Sequence, residues 1–354
     1  MSPDVGRTAQ QSAGGRVVVV GSLNHDVVTR VPRWAGPGET LLATGLARGN
    51  GGKGGNQAIA AARAGARVTM VGAVGADPEG AAQSHELAAY GIDTTALLAS
   101  EEVPTSLALV TVAPDGENTI VVTPGANDLL THERVTELLR GLHEGAGGTG
   151  ARRGEDGPGA SDSVVLVLAQ SEIGAPGCDA AAAHAVRIGA RFVLSNGPVA
   201  PVSPETWRVC DPVVVNVHEA RDVLRACGAP TDGVPTDDLA RAVREATGAR
   251  SVVVTLGQDG SVVGPVAAQA DLGAAAWADG SGAGKPPEDR AGDVRVAAVP
   301  APSVVDTTGA GDTYCGTLVA RLALGGSLVE ACEAGSRAGA LAVGWLGARP
   351  PRDG

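Results

Sequence analysis

Short apolar runs separated by longer amphipathic, alanine-rich stretches recur along this chain. Arg16 to Gly21 reads as four valines closed by a glycine, the pattern of a buried strand. Comparable runs lie at Val68–Val74, Val164–Leu168, Arg191–Leu194, Val213–Val217, Ser251–Thr255, Ser261–Gly264 and Val294–Val299. Between them, apolar positions with helical spacing predict helices over Ala58–Ala64, Pro78–Tyr90, Leu129–Leu142, Ala175–Ile188, Pro204–Val209, Glu219–Ala226 and Thr236–Thr247. Two more, Asp312–Leu324 and Leu328–Leu346, close the chain. Strands alternating with helices at this spacing build a mostly parallel sheet with helices on both faces, an α/β domain.

Two regions break the alternation. Val27–Val31 and Glu39–Leu46 read as strands around Pro32 and Gly36-Pro37-Gly38, and Thr105–Val112 and Asn118–Thr123 flank the turn Pro114-Asp115-Gly116-Glu117. They predict a small β lid outside the main core, from about 26–48 and 104–123. Residues 1–15 read as a disordered leader, 143–162 and 266–293 as flexible insertions of low complexity, and 351–354 as a tail. What remains, 16–350, is expected to be one domain.

The 354 residues are 44% hydrophobic but only 2% aromatic, so the core must be built from Val, Leu and Ala, as parallel sheets under helices usually are. A net charge of −12 leaves no basic surface for nucleic acid and favours small-molecule chemistry. No apolar run reaches the roughly eighteen residues that would cross a bilayer, and the polar start lacks a signal-type core, so a soluble cytoplasmic protein is expected. Five cysteines without a C-x-x-C pair suggest small core residues rather than a disulfide framework or a zinc site.

Candidate chemistry gathers at glycine-rich turns. Val305-Asp306-Thr307-Thr308-Gly309-Ala310-Gly311-Asp312-Thr313-Tyr314 reads as an apolar strand end, a tight turn and a helix start, where consecutive N–H groups and a helix dipole can hold an anion. A carboxylate there should repel the anion, so Asp312 makes sense as a base for an attacking hydroxyl; the alternative is a simple helix cap. Asn24 and Asp26, spaced i, i+2 after the first strand, can present an amide and a carboxylate to one side, or serve only as turn formers. The stretch Gly49 to Gln57 offers a glycine-lined surface with Lys53 and Asn56 aimed at it. Lys53 is one of two lysines in the chain, the other being Lys285. Gly49–Gly54 also fits G-x-G-x-x-G, but no compact buried strand precedes it and no clear acidic partner follows, so a nicotinamide site is a remote alternative.

Taken in order, Gly-Ser-Leu-Asn-His-Asp (21–26), Pro-Gly-Glu-Thr (37–40), Gly-Gly-Lys-Gly-Gly-Asn-Gln-Ala (51–58), Gln-Ser-Glu (170–172), Asn-Val-His-Glu (216–219), Thr-Leu-Gly-Gln-Asp-Gly (255–260) and Asp-Thr-Thr-Gly-Ala-Gly-Asp (306–312) resemble the PfkB carbohydrate kinases. The pattern is most similar to the ribose-phosphorylating members of that family and covers about residues 16–350. The resemblance implies a three-layer α/β ribokinase-like fold with a small β lid, and transfer of the ATP γ-phosphoryl to a sugar hydroxyl, D-ribose to D-ribose 5-phosphate. It implies Asp312 as base and Gly309, Ala310 and Gly311 as the anion hole. Asn24, Asp26, Gly52, Lys53, Asn56 and Glu172 match sugar contacts. Asn216 and Glu219 match the motif that places magnesium and phosphate. Thr255, Leu256, Gly257, Gln258, Asp259 and Gly260 match the nucleotide loop, and Ser336 a nucleotide contact. A potassium site would use Asp306 and Thr308 with carbonyls near Ala342, Trp345 and Gly347. Pro351 stands where the pattern usually has Ser, and Ser195-Asn196-Gly197-Pro198 replaces Asn-Pro-Ala-Pro. The alternatives are a family member acting on fructose, another sugar or a ribonucleoside, or a sugar-binding protein without catalysis. Exposed lid edges suggest a homodimer through the lid.

Overall fold

Strand β1 (Arg16–Val20) buries its four valines in the middle of a nine-stranded sheet. The computed structural model describes residues 15–114, 117–144, 165–264 and 293–351. β1 pairs in parallel with β4 (Arg67–Gly75) on one side and β8 (Val165–Gln170) on the other. Beyond β4 lies β5 (Asp93–Ser100), and beyond β8 come β9 (Arg191–Ser195), β10 (Cys210–Asn216) and β11 (Val252–Thr255), all parallel. At the far edge β12 (Ser261–Gly264) pairs antiparallel with β11, and β13 (Val294–Val296) pairs antiparallel with β12. The chain therefore leaves β1 toward one edge and returns to fill the other, which puts a topological switch point at the carboxyl ends of β1 and β8.

Alternation of side chains across the strands makes two cores from one sheet. Val18 and Val20 face helices α3 (His132–Glu144), α4 (Gly174–Arg187), α6 (Val217–Ala226) and α7 (Leu239–Thr247) through Leu139, Ala181, Val223 and Leu239. Val17 and Val19 face α1 (Lys53–Arg63), α8 (Ala310–Ala323) and α9 (Leu328–Ala342) through Ile59, Leu318 and Ala331. Helices α2 (Pro78–Ala89) and α5 (Pro204–Val209) complete the outer layers. Four of the five cysteines are buried as expected; Cys227 is exposed. Among the described residues no helix is long and apolar enough to cross a membrane.

A separate four-stranded sheet has the order β3 (Gly45–Gly51), β2 (Asn24–Arg30), β6 (Ser106–Val112) and β7 (Asn118–Thr123). β2 and β6 are parallel and the outer pairs antiparallel.

Five features differ from the expectation. β5 is absent from the expectation, because its apolar run Ala96–Ala99 is Ala and Leu, residues that lean toward helix and not strand; pairing with β4 makes it a strand. The strand expected over Glu39–Leu46 begins only at Gly45 and runs through the glycines to Gly51, since a ladder with β2 needs backbone groups rather than side chains. α1 starts at Lys53, five residues before the expected Ala58. A Cβ on Gly54 would overlap the Gly21 and Ser22 backbone, so glycine lets the helix start sit on the end of β1. Val305 does not end a strand: β13 stops at Val296, and the Val305 and Asp306 N–H groups donate instead to Val343 O. α9 ends at Ala342 rather than Leu346, where turns and an exposed Leu346 follow. The expected leader and the bulk of both insertions lie outside the described residues, as does most of the tail.

Candidate active site

At the switch point Ser22, just past β1, donates its hydroxyl to Glu172 Oε2 at 2.5 Å and lies 3.0 Å from Gln170 Oε1 at the end of β8. The Glu172 carboxylate also accepts the Lys53 backbone N–H at 3.3 Å. The first turn of α1 is thereby stitched to the mouth of the sheet, and Gly52 enters it with φ +87°, a conformation that disfavours any side chain.

α8 brings its N-terminus to the same place. Gly309 caps it with φ 75°, and Thr313 N–H to Gly309 O (2.8 Å) begins its hydrogen-bond ladder. The Ala310 N–H is engaged by Thr307 O at 3.3 Å, so the N–H groups of Gly311 and Asp312 are the ones that precede the ladder and point forward. A Cβ at Gly311 would meet nothing within 4 Å, so the space in front of this turn is open. Asp312 is 9% exposed and both its oxygens are held by amides of α1: Asn56 Nδ2 donates to Oδ2 and Gln57 Nε2 to Oδ1, each at 2.9 Å. Gln57 Nε2 also reaches Ser195 Oγ at 3.1 Å.

One ammonium faces four carboxylates here. The Lys53 pKa is raised chiefly by the Asp312 charge, against its own burial, with Glu172, Glu219 and Asp26 adding. Burial pushes the Asp26 carboxyl up to about 6, Glu172 and Asp312 add to that, and the Arg349 and Lys53 charges oppose it. Glu172 is likewise raised by burial, against Lys53 and the Ser22 hydroxyl. Such a cluster accepts hydrogen bonds from hydroxyls and attracts cations more readily than bare anions.

Lys53, Asn216, Glu219, Thr255, Gly309, Gly311 and Asp312 line one open pocket. Asn216 and Glu219 form a reciprocal cap on α6, Asn216 Oδ1 accepting from Glu219 N at 2.9 Å and Glu219 Oε2 from Asn216 N at 2.8 Å. Burial raises the Glu219 pKa, against the Asn216 N–H and Lys53. Beyond Thr255, residues Gly257, Gln258 and Asp259 form an exposed 3-10 turn closed by Leu256 N–H to Gly260 O at 2.8 Å. Ser336 lies half-buried on α9 and is not among the residues lining the pocket. Asp306 takes the Thr308 N–H and the Gly347 N–H at 2.9 Å each; burial works to raise its pKa, but these bonds outweigh it and hold the carboxyl below its usual value. The Ala342 carbonyl, by contrast, accepts from Trp345 N at 3.4 Å. Among the described residues no three His, Cys, Asp or Glu side chains cluster as a ready-made metal site. A magnesium ion nonetheless fits the donors present, because that ion keeps its waters and needs only one or two carboxylates beside a phosphate. Glu219 has one oxygen outside the cap.

Sequence reasoning missed the residues that aim the others. Asn127 donates Nδ2 to Asn24 Oδ1 at 2.9 Å and accepts the Leu23 N–H at 3.1 Å, fixing the buried Asn24 amide. Gln57, Ser22, Gln83 and Arg349 act in the same way; Gln57 and Ser22 stood inside motifs of the pattern but were given no role, and Gln83 and Arg349 stood outside them.

The family model of the pfkB carbohydrate kinases matches residues 15–145 and 165–353. A ribokinase of Haemophilus influenzae is 31% identical over 338 residues, covering 94% of both chains, and one of Staphylococcus aureus is 29% identical over 94% of this chain and 95% of its own. Among solved structures, Arabidopsis thaliana ribokinase complexed with ribose and ATP has a TM-score of 0.70 at 26% identity, covering 95% of this chain and 94% of that one. Ribokinase from Cryptococcus neoformans in complex with ADP has a TM-score of 0.67 at 26% identity over 94% and 95%. A nucleoside kinase of Burkholderia thailandensis shares the fold at 19% identity, with a TM-score of 0.63 over 94% and 91%. A sheet with its switch point at Ser22, an open helix start at Gly309 and the ordered motifs that line both thus have their explanation in descent: this chain belongs to the PfkB family of carbohydrate kinases and is a ribokinase-like, ATP-dependent sugar kinase.

Proposed function

We propose that the chain phosphorylates D-ribose at its primary hydroxyl, giving D-ribose 5-phosphate and ADP. The observation that carries this reading is the Asp312 carboxylate: it is buried at a helix N-terminus, gripped by two amides, and opens onto the unobstructed space over Gly311. Asp312 takes the hydroxyl proton as the new O–P bond forms and the bond between the β-oxygen and γ-phosphorus breaks. Phosphoryl transfer asks mainly for alignment and charge stabilisation, and the forward N–H groups of α8 answer the second need. Asp26, Glu172 and Lys53, with the Asn24 and Asn56 amides, provide acceptors and donors for a ring of hydroxyls. Magnesium, when bound with the triphosphate, supplies the counter-charge that a pocket with one ammonium and four carboxylates lacks. Asn216 and Glu219 would hold it, the loop Thr255–Gly260 and Ser336 would meet the nucleotide, and Asp306 with Thr308 and Gly347 would hold potassium.

The support for ribose is the set of relatives named as ribokinases together with the retained Asn24, Asp26 and Lys53. A panel of pentoses, hexoses, fructose and ribonucleosides tests it, with ADP formation read with and without potassium. D-ribose should give the highest kcat/KM; a better hexose or nucleoside, or no sugar-dependent ADP, would overturn the assignment. We further propose that the reaction runs in the cytoplasm and that a second copy covers the small sheet, which serves as the lid. That sheet exposes Leu46, Leu109, Ile120, Val121 and Val122. A monomer in sedimentation would refute the dimer.

A further inference from the structure

Arg349, beyond the last helix, carries a buried charge in a segment whose sequence gives no hint of one. Its side chain is 6% exposed, and all five of its N–H groups find acceptors. Nε donates to Asn56 Oδ1 at 2.9 Å, Nη1 to Gln83 Oε1 at 3.2 Å and to the Glu86 carboxylate, and Nη2 to Gly51 O at 2.7 Å and Gln83 Oε1 at 3.1 Å. A guanidinium can stay out of water only with that degree of pairing. The fold makes room for it: a Cβ on Gly55 would overlap Nη2.

The bond to Asn56 has a consequence at the reacting centre. Arginine has no acceptor, so the Asn56 amide can face Nε only with its oxygen. Its NH₂ is then turned the other way, onto Asp312 Oδ2 at 2.9 Å. A flipped amide would set donor against donor at Arg349 and acceptor against acceptor at Asp312, leaving buried groups unpaired at both ends. We propose that Arg349 is a positioning residue, which fixes the polarity of the Asn56 amide and through it the aim of the Asp312 carboxylate. The proposal rests on the reading of Asp312 as base.

The test uses side chains of one length. Glutamine and methionine both reach the ε position that Arg Nε occupies; glutamine carries an N–H there and methionine a methyl. Both are paired with Glu86→Gln, so neither double variant keeps the lone carboxylate. R349M/E86Q should turn over about 10- to 100-fold more slowly than R349Q/E86Q at saturating sugar and ATP, the scale of an angstrom-level misplacement. KM for ATP should agree between the two, and the unfolding temperature should be only slightly lower in R349M/E86Q, which leaves the Asn56 oxygen without its donor. A purely structural role predicts equal kcat, and that result would overturn the proposal. If R349M/E86Q does not fold, Arg349→Lys decides the matter: it keeps the charge for Glu86 but has carbon at ε, so it should lose turnover, and full turnover would overturn the proposal. The wild type separates the two readings. Without sugar-dependent ADP formation the base assignment itself fails, whereas an active wild type with two equal double variants removes only the role of Arg349.

Discussion

Replacing Asp26 with asparagine should weaken sugar binding and stabilise the protein at the same time. Burial moves this carboxyl from its ordinary 3.8 to about 6. Each pKa unit corresponds to about 1.36 kcal/mol, so roughly two units of displacement amount to about 3 kcal/mol. The folded state holds the Asp26 proton more tightly than the unfolded chain, so between these two values it binds more protons, and stability falls as pH rises. The contribution is fully present below about pH 4 and lost as pH passes about 6. At about pH 7.5 the ionised group therefore weakens the fold by up to about 3 kcal/mol relative to its neutral form. Asparagine is neutral and nearly isosteric, so Asp26→Asn should raise the unfolding free energy by up to that amount at about pH 7.5 and by about half of it near pH 5. Urea denaturation of the ligand-free protein at the two pH values measures this. In kinetics, the wild-type sugar KM should climb below about pH 6 as the carboxylate is lost, while the variant has a high KM throughout. A variant less stable than wild type at pH 7.5, or a difference that ignores pH, would refute the reasoning.

Gly311→Ala should fold normally, since a methyl there meets open space, yet it would take up part of the space proposed for the phosphoryl group. kcat should drop about 10²-fold, as when one oxyanion donor is lost, with sugar KM little changed; steady-state kinetics checks it. Gly55→Ala should displace the Arg349 guanidinium, lowering turnover and the unfolding temperature together, as calorimetry and ADP assays would show. Lys53→Ala should mainly raise the sugar KM, because its ammonium serves ground state and transition state alike; an unchanged KM would move the sugar elsewhere.

What could be read in advance divides along a physical line. Valine runs such as Val17–Val20 and Val252–Val254 announce buried parallel strands because their own side chains drive the burial. β5 and the glycine strand end at Gly49–Gly51 do not, because only the neighbouring strand makes them strands. Likewise Asp312 stands out in the sequence because a carboxylate beside Gly309-Ala310-Gly311 would repel an anion held there, and the structure puts it in the pocket with Lys53, Asn216 and Glu219. Arg349, Asn127 and Gln83 touch the site only after the chain has folded. Nothing local in Gly-Ala-Arg-Pro-Pro separates a buried, fully paired arginine from a solvated one.

The central claim is that Asp312 takes the proton from the sugar hydroxyl. Its most direct measurement pairs D-ribose binding by calorimetry with ADP release for wild type and Asp312→Asn. The account predicts a folded variant that binds D-ribose within a few-fold of wild type and turns over about 10²–10⁴ times more slowly. Turnover within tenfold of wild type would contradict it.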